Sequence, residues 1–195
     1  MSLQCVAYFL QYDNKGRTLL HDIVLRGDLE GLLFLLSVRV NVNCRTSDAT
    51  RLTPLQLATQ TAKDELILRN LIVAGANLDE RGPRQQTVLH MAAEREDGGA
   101  LAAILIDAGA DWTILDDSGN SALHTAARLC HVGVARILLT QSTVDAESRN
   151  MRGLNPLHLA AASGREASAA LLALFLECMP HYPINDPDIE GNTRQ

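Results

Sequence analysis

The sequence has few aromatic residues, which make up 4% of its 195 positions, while Leu and Ala supply most of its apolar side chains. Because the strands of β-sandwiches favour aromatic and β-branched residues, this composition indicates small, closely spaced helices instead. An excess of positive charge is also missing. The net charge of −6 excludes a nucleic-acid binder that acts through its overall electrostatics.

Paired cysteines and long hydrophobic runs are absent as well. Four cysteines are scattered along the chain without a CxxC pair: Cys5, Cys44, Cys130 and Cys178. Their spacing argues against a zinc site or a disulfide framework and favours a reducing, cytoplasmic setting. No apolar run approaches the roughly 20 residues that span a bilayer. Residues 1–10 lack a basic start and a small-residue cleavage site, so no signal peptide is expected.

What the sequence does contain is a short motif that recurs five times. A hydroxyl or amide residue begins each copy, Leu stands two residues later, and all copies but one end in His. The copies are residues 18–21 (TLLH), 53–56 (TPLQ), 87–90 (TVLH), 121–124 (SALH) and 155–158 (NPLH). Their starts lie 35, 34, 34 and 34 residues apart, close to the period of about 33 that is typical of ankyrin units.

Each copy of the motif is predicted to open a pair of helices. Its first residue predicts a helix N-cap, because its side chain can accept one of the unpaired N–H groups of the first turn. A Gly nine residues after the cap, as at Gly27 and Gly164, marks a sharp turn into a second helix. The second helix is the apolar one, at residues 32–36, 68–73, 101–106, 134–139 and 171–176. Because no pair can bury this helix alone, the pairs must stack.

On these residues the chain is identified as a member of the ankyrin-repeat family, an all-α solenoid of about five stacked antiparallel helix pairs with β-turn fingers. We expect the repeats at residues 13–47, 48–81, 82–115, 116–149 and 150–187, the last with an extended tail. Residues 1–12 are interpreted as the remnant of a preceding helix or as an N-terminal cap. Residues 188–195 are interpreted as the start of a truncated sixth repeat, so the chain is expected to be part of a larger array or a truncated gene product.

Several stretches outside the repeat motif are unusual for ankyrin units. They are residues 13–17 (DNKGR), 33–37 (LFLLS), 69–75 (RNLIVAG), 138–146 (LLTQSTVDA) and 174–180 (LFLECMP) with Tyr182 and Pro183. Together they resemble the C-terminal ankyrin array of the rabankyrin family, endosomal proteins with a BTB module and a lipid-reading FYVE zinc finger. The resemblance implies a scaffold and effector for a Rab GTPase on early endosomes, in endocytosis and macropinocytosis. Neither flanking module lies within the 195 residues, so no direct membrane insertion is expected of this chain.

The resemblance to ankyrin arrays implies a partner-binding face made of finger tips and of the exposed side of each first helix. Positions four, three and one before each cap, and seven and eight after it, give 25 sites, of which seven are basic and two, Glu94 and Asp117, are acidic. The basic ones are Lys15, Arg17, Arg26, Arg84, Arg95, Arg128 and Arg152. A face of about +5 on a chain of −6 predicts an acidic protein partner, gripped by forked guanidinium groups. The alternative is that exposed helix positions favour Arg for solubility.

Enzymatic chemistry is not expected, because the sequence holds neither a Gly-x-Ser-x-Gly turn nor a Gly-rich phosphate loop with Lys. His90, His124 and His158 recur with the repeat, so we expect each imidazole to join backbone and cap groups at the bend. Cys130 and His131 suggest no third or fourth ligand, and no metal or cofactor is expected. Two other functions stay open: a substrate-recruiting adaptor of a larger complex, such as a ubiquitin ligase, and a structural spacer whose concave face binds nothing.

Overall fold

The computed structural model describes residues 11–61, 65–141, 146–164 and 167–178 of the chain, which divides into two compact units, residues 1–88 and 89–195. Within the described residues the regular elements are all helical, with ten α-helices, one short 3-10 helix and no strand. None of these helices is long and apolar enough to cross a bilayer. Most of the predicted N-terminal cap and the predicted start of a sixth repeat, residues 188–195, lie outside the described residues.

The first unit contains two helix pairs that pack on each other. The four helices are α1 (Leu19–Arg26), α2 (Leu29–Ser37), α3 (Pro54–Thr61) and α4 (Glu65–Val73). Helix α1 packs against α2 and α3, and α4 packs against α3 and α2, so the two pairs are laid side by side. The second helices are held by Leu residues that are at most 1% exposed: Leu32, Leu35, Leu68 and Leu71. Their burial follows from the apolar runs in the sequence, because these side chains gain most from leaving water.

The second unit repeats the arrangement. Helix α5 (Val88–Ala93) begins at the last residue of the first unit, and five helices follow: α6 (Gly99–Asp107), α7 (Ala122–Leu129), α8 (Val132–Gln141), α9 (Pro156–Ala162) and α10 (Ser168–Cys178). Helix α8 packs against α6, α7 and α10, while α9 packs against α7 and α10. Small residues let α7 approach its neighbours α8 and α9 closely, since Ala126 and Ala127 are fully buried.

The first helix of each pair begins at the residue that the motif predicts. Before α7, the Ser121 hydroxyl accepts a hydrogen bond from the N–H of His124 at 3.4 Å, and the N–H of Ser121 donates to His124 Nδ1 at 3.2 Å. Before α9, Asn155 Oδ1 accepts from the N–H of His158 at 3.0 Å. These reciprocal bonds satisfy N–H groups that the first turn leaves without a helical partner.

In the first, fourth and fifth repeats the turn from the first to the second helix contains a left-handed residue. Gly27 (φ 76°) and Gly164 (φ 60°) supply it as predicted, and Gly27 donates its N–H to the carbonyl groups of Ile23 and Val24. Cys130 stands at the same position of the fourth repeat, nine residues after its cap, with φ 58°. A side chain there costs about 1 to 2 kcal/mol, so the turn is imposed by the packing of the two helices and not by the local sequence.

Candidate functional site

The turn that precedes each first helix is called a finger here, and finger 1 comprises residues 13–17. The Asp13 carboxylate accepts the N–H groups of Lys15 and Arg17, each at 2.8 Å, and the N–H of Asp13 donates to the Arg17 carbonyl at 2.7 Å. The hydrogen bond from Arg17 contributes most to holding the pKa of Asp13 below its ordinary value. The closed turn presents an exposed Lys15 and a half-buried Arg17.

Finger 2, residues 48–52, is closed in the same way by Asp48. Its Oδ1 accepts hydroxyl hydrogens from Thr50 at 2.6 Å and from Thr46 at 2.7 Å, and the N–H of Arg51 at 3.1 Å. These bonds lower the pKa of Asp48 to about 2, and the bond from the Thr50 hydroxyl contributes most. The turn exposes Arg51, a basic residue that the counting of tip positions missed. The missing Gly was the available signal, because fingers 1, 4 and 5 have Gly at this position.

Finger 3, residues 82–86, has Gly instead of Asp at its start and folds differently. Its tip is the 3-10 turn Pro83–Gln85, in which Arg84 has φ 55°. The Arg84 side chain is exposed and donates from Nη2 to Gln86 Oε1 at 3.1 Å. The predicted tip cation is therefore present, and Arg81 adds a second exposed cation directly before the turn.

The three fingers of the first unit are connected in order by polar contacts that involve residues directly before fingers 2 and 3. The N–H of Ser47, next to finger 2, donates to the Gly16 carbonyl of finger 1 at 2.7 Å. Arg45 forms an ion pair with Glu80 and donates to the carbonyl group of Arg81, beside finger 3, at 3.5 Å. The finger cations of this unit thus belong to one row of neighbouring turns.

Arg26, the remaining predicted residue of the first unit, lies in the last turn of α1. Its guanidinium is exposed and lies 3.8 Å from the carboxylate of Asp22, one helical turn earlier. Exposed pairs of this kind contribute only about 0.3 to 0.5 kcal/mol, so the cation stays available to a partner.

The three predicted residues of the second unit differ in their surroundings. Arg95 donates to the carboxylate of Asp97 at 2.8 Å, a bond that lowers the pKa of Asp97, and the Arg95 side chain is only 25% exposed. Arg128, in the last turn of α7, and Arg152, at the tip of finger 5 (residues 150–154), are exposed. Arg128 and Arg152 present their charge more openly than Arg95 does.

The fingers of the two units differ in charge. Finger 4, residues 116–120, contains Asp116, which accepts the N–H groups of Ser118 and Asn120, and an exposed Asp117. Fingers 1 to 3 carry a net charge of +2, whereas fingers 4 and 5 carry −1. The basic character expected along the whole predicted face is therefore concentrated, among the fingers, in the first unit.

The cap contacts expected of the motif histidines are present at His124, whose Nδ1 lies 2.9 Å from the Ser121 hydroxyl, and at His158, whose Nδ1 lies 2.6 Å from Asn155 Oδ1. Three motif histidines also reach the next finger. Nε2 of His21 lies 3.2 Å from the Leu52 carbonyl oxygen, that of His90 3.0 Å from Asn120, and that of His124 3.2 Å from Leu154. In the second repeat Gln56 Nε2 donates to the Glu80 carbonyl at 2.8 Å instead. One side chain per repeat thus fixes the spacing of neighbouring turns.

Comparison with known proteins agrees with this geometry. A family model described as ankyrin repeats in three copies matches residues 89–181. The chain is 49% identical to Rabankyrin-5 of Mus musculus over 187 residues and 48% identical to that of Homo sapiens over 185 residues, in each case 94% of this chain. The chain belongs to the ankyrin-repeat family. The predicted all-α ankyrin fold and the resemblance to rabankyrin are confirmed.

The chain spans 16% of the length of the two Rabankyrin-5 relatives. A more distant relative is the E3 ubiquitin-protein ligase KEG of Arabidopsis thaliana, 31% identical over 170 residues, which are 82% of this chain and 10% of that protein. Ankyrin repeats are modules that bind other proteins. Which residues of this chain bind a partner, and where each repeat begins and ends, stay predictions.

The cysteines near the ankyrin turns take part in packing. Cys130 Sγ lies 3.0 Å from the Ser163 hydroxyl, and Nδ1 of the adjacent His131 lies 2.9 Å from the Ala93 carbonyl oxygen. Burial raises the pKa of the Cys44 thiol, which lies 3.6 Å from the Thr18 hydroxyl. Over the described ranges, no group of three or more His, Cys, Asp or Glu side chains is arranged to hold a metal ion.

Proposed function

We propose that this chain is a non-enzymatic interaction scaffold and forms part of an endosomal Rab GTPase effector that acts in endocytosis and macropinocytosis. The identity of 49% with Rabankyrin-5 over 94% of the chain supports the proposal. The identity with KEG is only 31%, over 82% of the chain. The higher identity with Rabankyrin-5, over more of the chain, favours a role shared with that protein.

We further propose that the partner docks on the fingers and first helices through an acidic surface. Five of the seven predicted cations are exposed: Lys15, Arg26, Arg84, Arg128 and Arg152. The second helices contribute much of the core through Leu side chains such as Leu32, Leu35, Leu68 and Leu71. Exposed cations on the fingers and first helices attract an acidic partner over several ångströms and orient it as it approaches.

The experiment that tests the function uses purified early-endosomal Rab GTPases, each loaded with GDP or with a non-hydrolysable GTP analogue. Their affinity for the full 195-residue chain is measured by calorimetric titration. We expect one GTPase to bind in the GTP-analogue form and to bind at least about tenfold more weakly in the GDP form, as an effector requires. Equal affinity for the two forms, or no binding by any of them, would contradict the effector role.

A substrate-recruiting adaptor is the second candidate, and the similarity to a ubiquitin ligase supports it. An adaptor would bind its substrate regardless of any nucleotide. It would also raise the ubiquitination of that substrate when joined to a ligase module. The structural spacer differs from both candidates because it would bind neither class of protein. The nucleotide dependence measured above therefore separates the effector from the adaptor.

A further inference from the structure

The tips of fingers 1 to 3 in the first unit each expose one cation, and these cations are called the tip row: Lys15, Arg51 and Arg84. The carboxylates of fingers 1 and 2 are directed into their own turns, where Asp13 and Asp48 accept backbone and hydroxyl hydrogens. In the part of the chain that the structure describes, neither Lys15 nor Arg51 has an ion-pair partner. Their charges are therefore available to a ligand.

Arg51 has an unusual backbone for the side chain that it carries. Its φ is 47°, in the left-handed region, where the equivalent residues of the other fingers are Gly16, Gly119, Gly153 and, in finger 3, Gln85 (φ 58°). A side chain costs about 1 to 2 kcal/mol there, and Gly would avoid the cost. The guanidinium forms none of the hydrogen bonds by which Asp48 closes the turn, so this group can engage a ligand outside the turn.

The spacing of the tip row follows from the stacking of the helix pairs. Packed helices lie about 8 to 10 Å apart, so tips on consecutive pairs recur at about that distance. A polyproline II peptide has three residues per turn and rises about 3.1 Å per residue, so every third side chain recurs on one side after about 9 Å. The distance between consecutive finger tips therefore matches the distance between every third side chain of such a peptide.

We propose that the tip row binds an extended acidic peptide segment whose carboxylates stand at every third residue, i, i+3 and i+6. Each carboxylate would meet one cation of the row, and the two guanidinium groups can each donate two parallel hydrogen bonds. The proposal rests on the proposed function, because it names the segment by which an acidic partner would engage the first unit. A polyproline conformation lowers the entropy that the peptide loses on binding.

The test uses the full chain and two fluorescent peptides of identical composition. One has Glu at every third position among prolines, and the other has its three Glu residues adjacent. We expect the spaced peptide to bind about tenfold more tightly at low salt and to weaken as salt is added. Equal affinities would overturn the proposal, because a general attraction for negative charge would explain them.

A matched pair of variants tests the role of Arg51. R51G removes the guanidinium and relieves the backbone, and R39G makes the same change at Arg39, an exposed residue with φ 57° that follows α2 and lies outside the fingers. We expect R51G to lower the affinity for the spaced peptide about three- to tenfold without lowering the melting temperature, and R39G to leave that affinity unchanged. No effect of R51G, or an equal effect of R39G, would overturn the proposal.

Two further measurements separate the possible failures. Tighter binding to phosphatidylserine vesicles than to the spaced peptide, with the same loss in R51G, would show that the row serves a membrane and would overturn the peptide proposal. If a Rab GTPase binds while the spaced peptide does not, only the tip-row proposal fails. If the spaced peptide binds while no GTPase does, only the effector proposal fails.

Discussion

The buried His21 makes the stability of the fold depend on pH. Burial lowers its pKa below 6.5, since the charged imidazole would have to leave water. Below pH 6.5 the unfolded chain therefore binds more protons than the folded one. The stability that the neutral ring contributes is complete above pH 6.5 and is lost as the pH falls toward the lowered pKa.

The variant H21Q tests this effect, because Gln56 already makes the same two contacts in the second repeat. Gln56 Oε1 accepts the N–H of Thr53 at 2.9 Å, and its Nε2 donates to the Glu80 carbonyl. We expect the melting temperature of H21Q to fall less between pH 7.5 and pH 5 than that of the unchanged chain, since Gln does not titrate. An equal fall in both proteins would show that His21 does not cause the dependence.

Two glycines of the second unit differ in what a side chain would meet. A Cβ on Gly119 (φ 73°) would lie 2.9 Å from the backbone nitrogen of Met151, whereas a Cβ on Gly109 (φ 91°) would meet nothing within 4 Å. We expect G109A to lower the free energy of unfolding by about 1 kcal/mol through the backbone alone, and G119A by about 2 kcal/mol or more. Urea unfolding measures both, and equal losses would contradict the contact.

The turns show where reasoning from single residues stops. Asp13 and Asp48 each close a finger through hydrogen bonds to their side chains. Arg51 was missed because only the positions four, three and one before each cap were counted, whereas Arg51 lies two residues before its cap. The pairing of Arg95 could not be foreseen either. The third repeat has Glu96 where Gly27 and Gly164 stand in their repeats, and the altered turn brings Asp97 to Arg95.

The second helices are the elements that the sequence predicts best, because an apolar run of helical length is stable in water only when it is buried in a core. Helix α10 offers a matched pair of residues, since Leu171 is fully buried and Leu176 is 44% exposed. We expect L171A to cost about 2 to 5 kcal/mol, through lost burial and the cavity left behind, and L176A to cost about 1 kcal/mol or less. Similar losses, measured by chemical unfolding, would contradict the packing of this helix.

Finger 3 is the element that the repeat pattern described least well. Its start is Gly82 followed by Pro83, without the Asp whose carboxylate closes fingers 1 and 2. The N–H of Gly82 instead donates to the Gln86 carbonyl at 2.9 Å, and both Arg84 and Gln85 are left-handed. A period of 34 residues gives the place of such a turn, but its backbone depends on the residues within it, which the period does not specify.

Across the chain, the repeat period was enough to predict the family, because a helix pair that cannot bury its apolar face alone must recur. The charge pattern was predictable only in part. Taking the same five positions in every repeat gave seven basic residues, but this procedure treated all repeats alike. Fingers 1 to 3 taken together carry a net positive charge, finger 4 is acidic, and Arg95 is bonded to Asp97. Such differences depend on side-chain partners, which spacing does not give.

Binding by the exposed cations is the claim on which the account depends, and charge reversal tests it most directly. R128E with R152E reverses two exposed residues, on α7 and on finger 5. R136E is the control, since Arg136 lies on the second helix α8, 3.8 Å from the carboxylate of Glu177. We expect the double variant to bind the GTPase at least about tenfold more weakly with an unchanged melting temperature, and R136E to keep its affinity. Undiminished binding by the double variant would contradict the account.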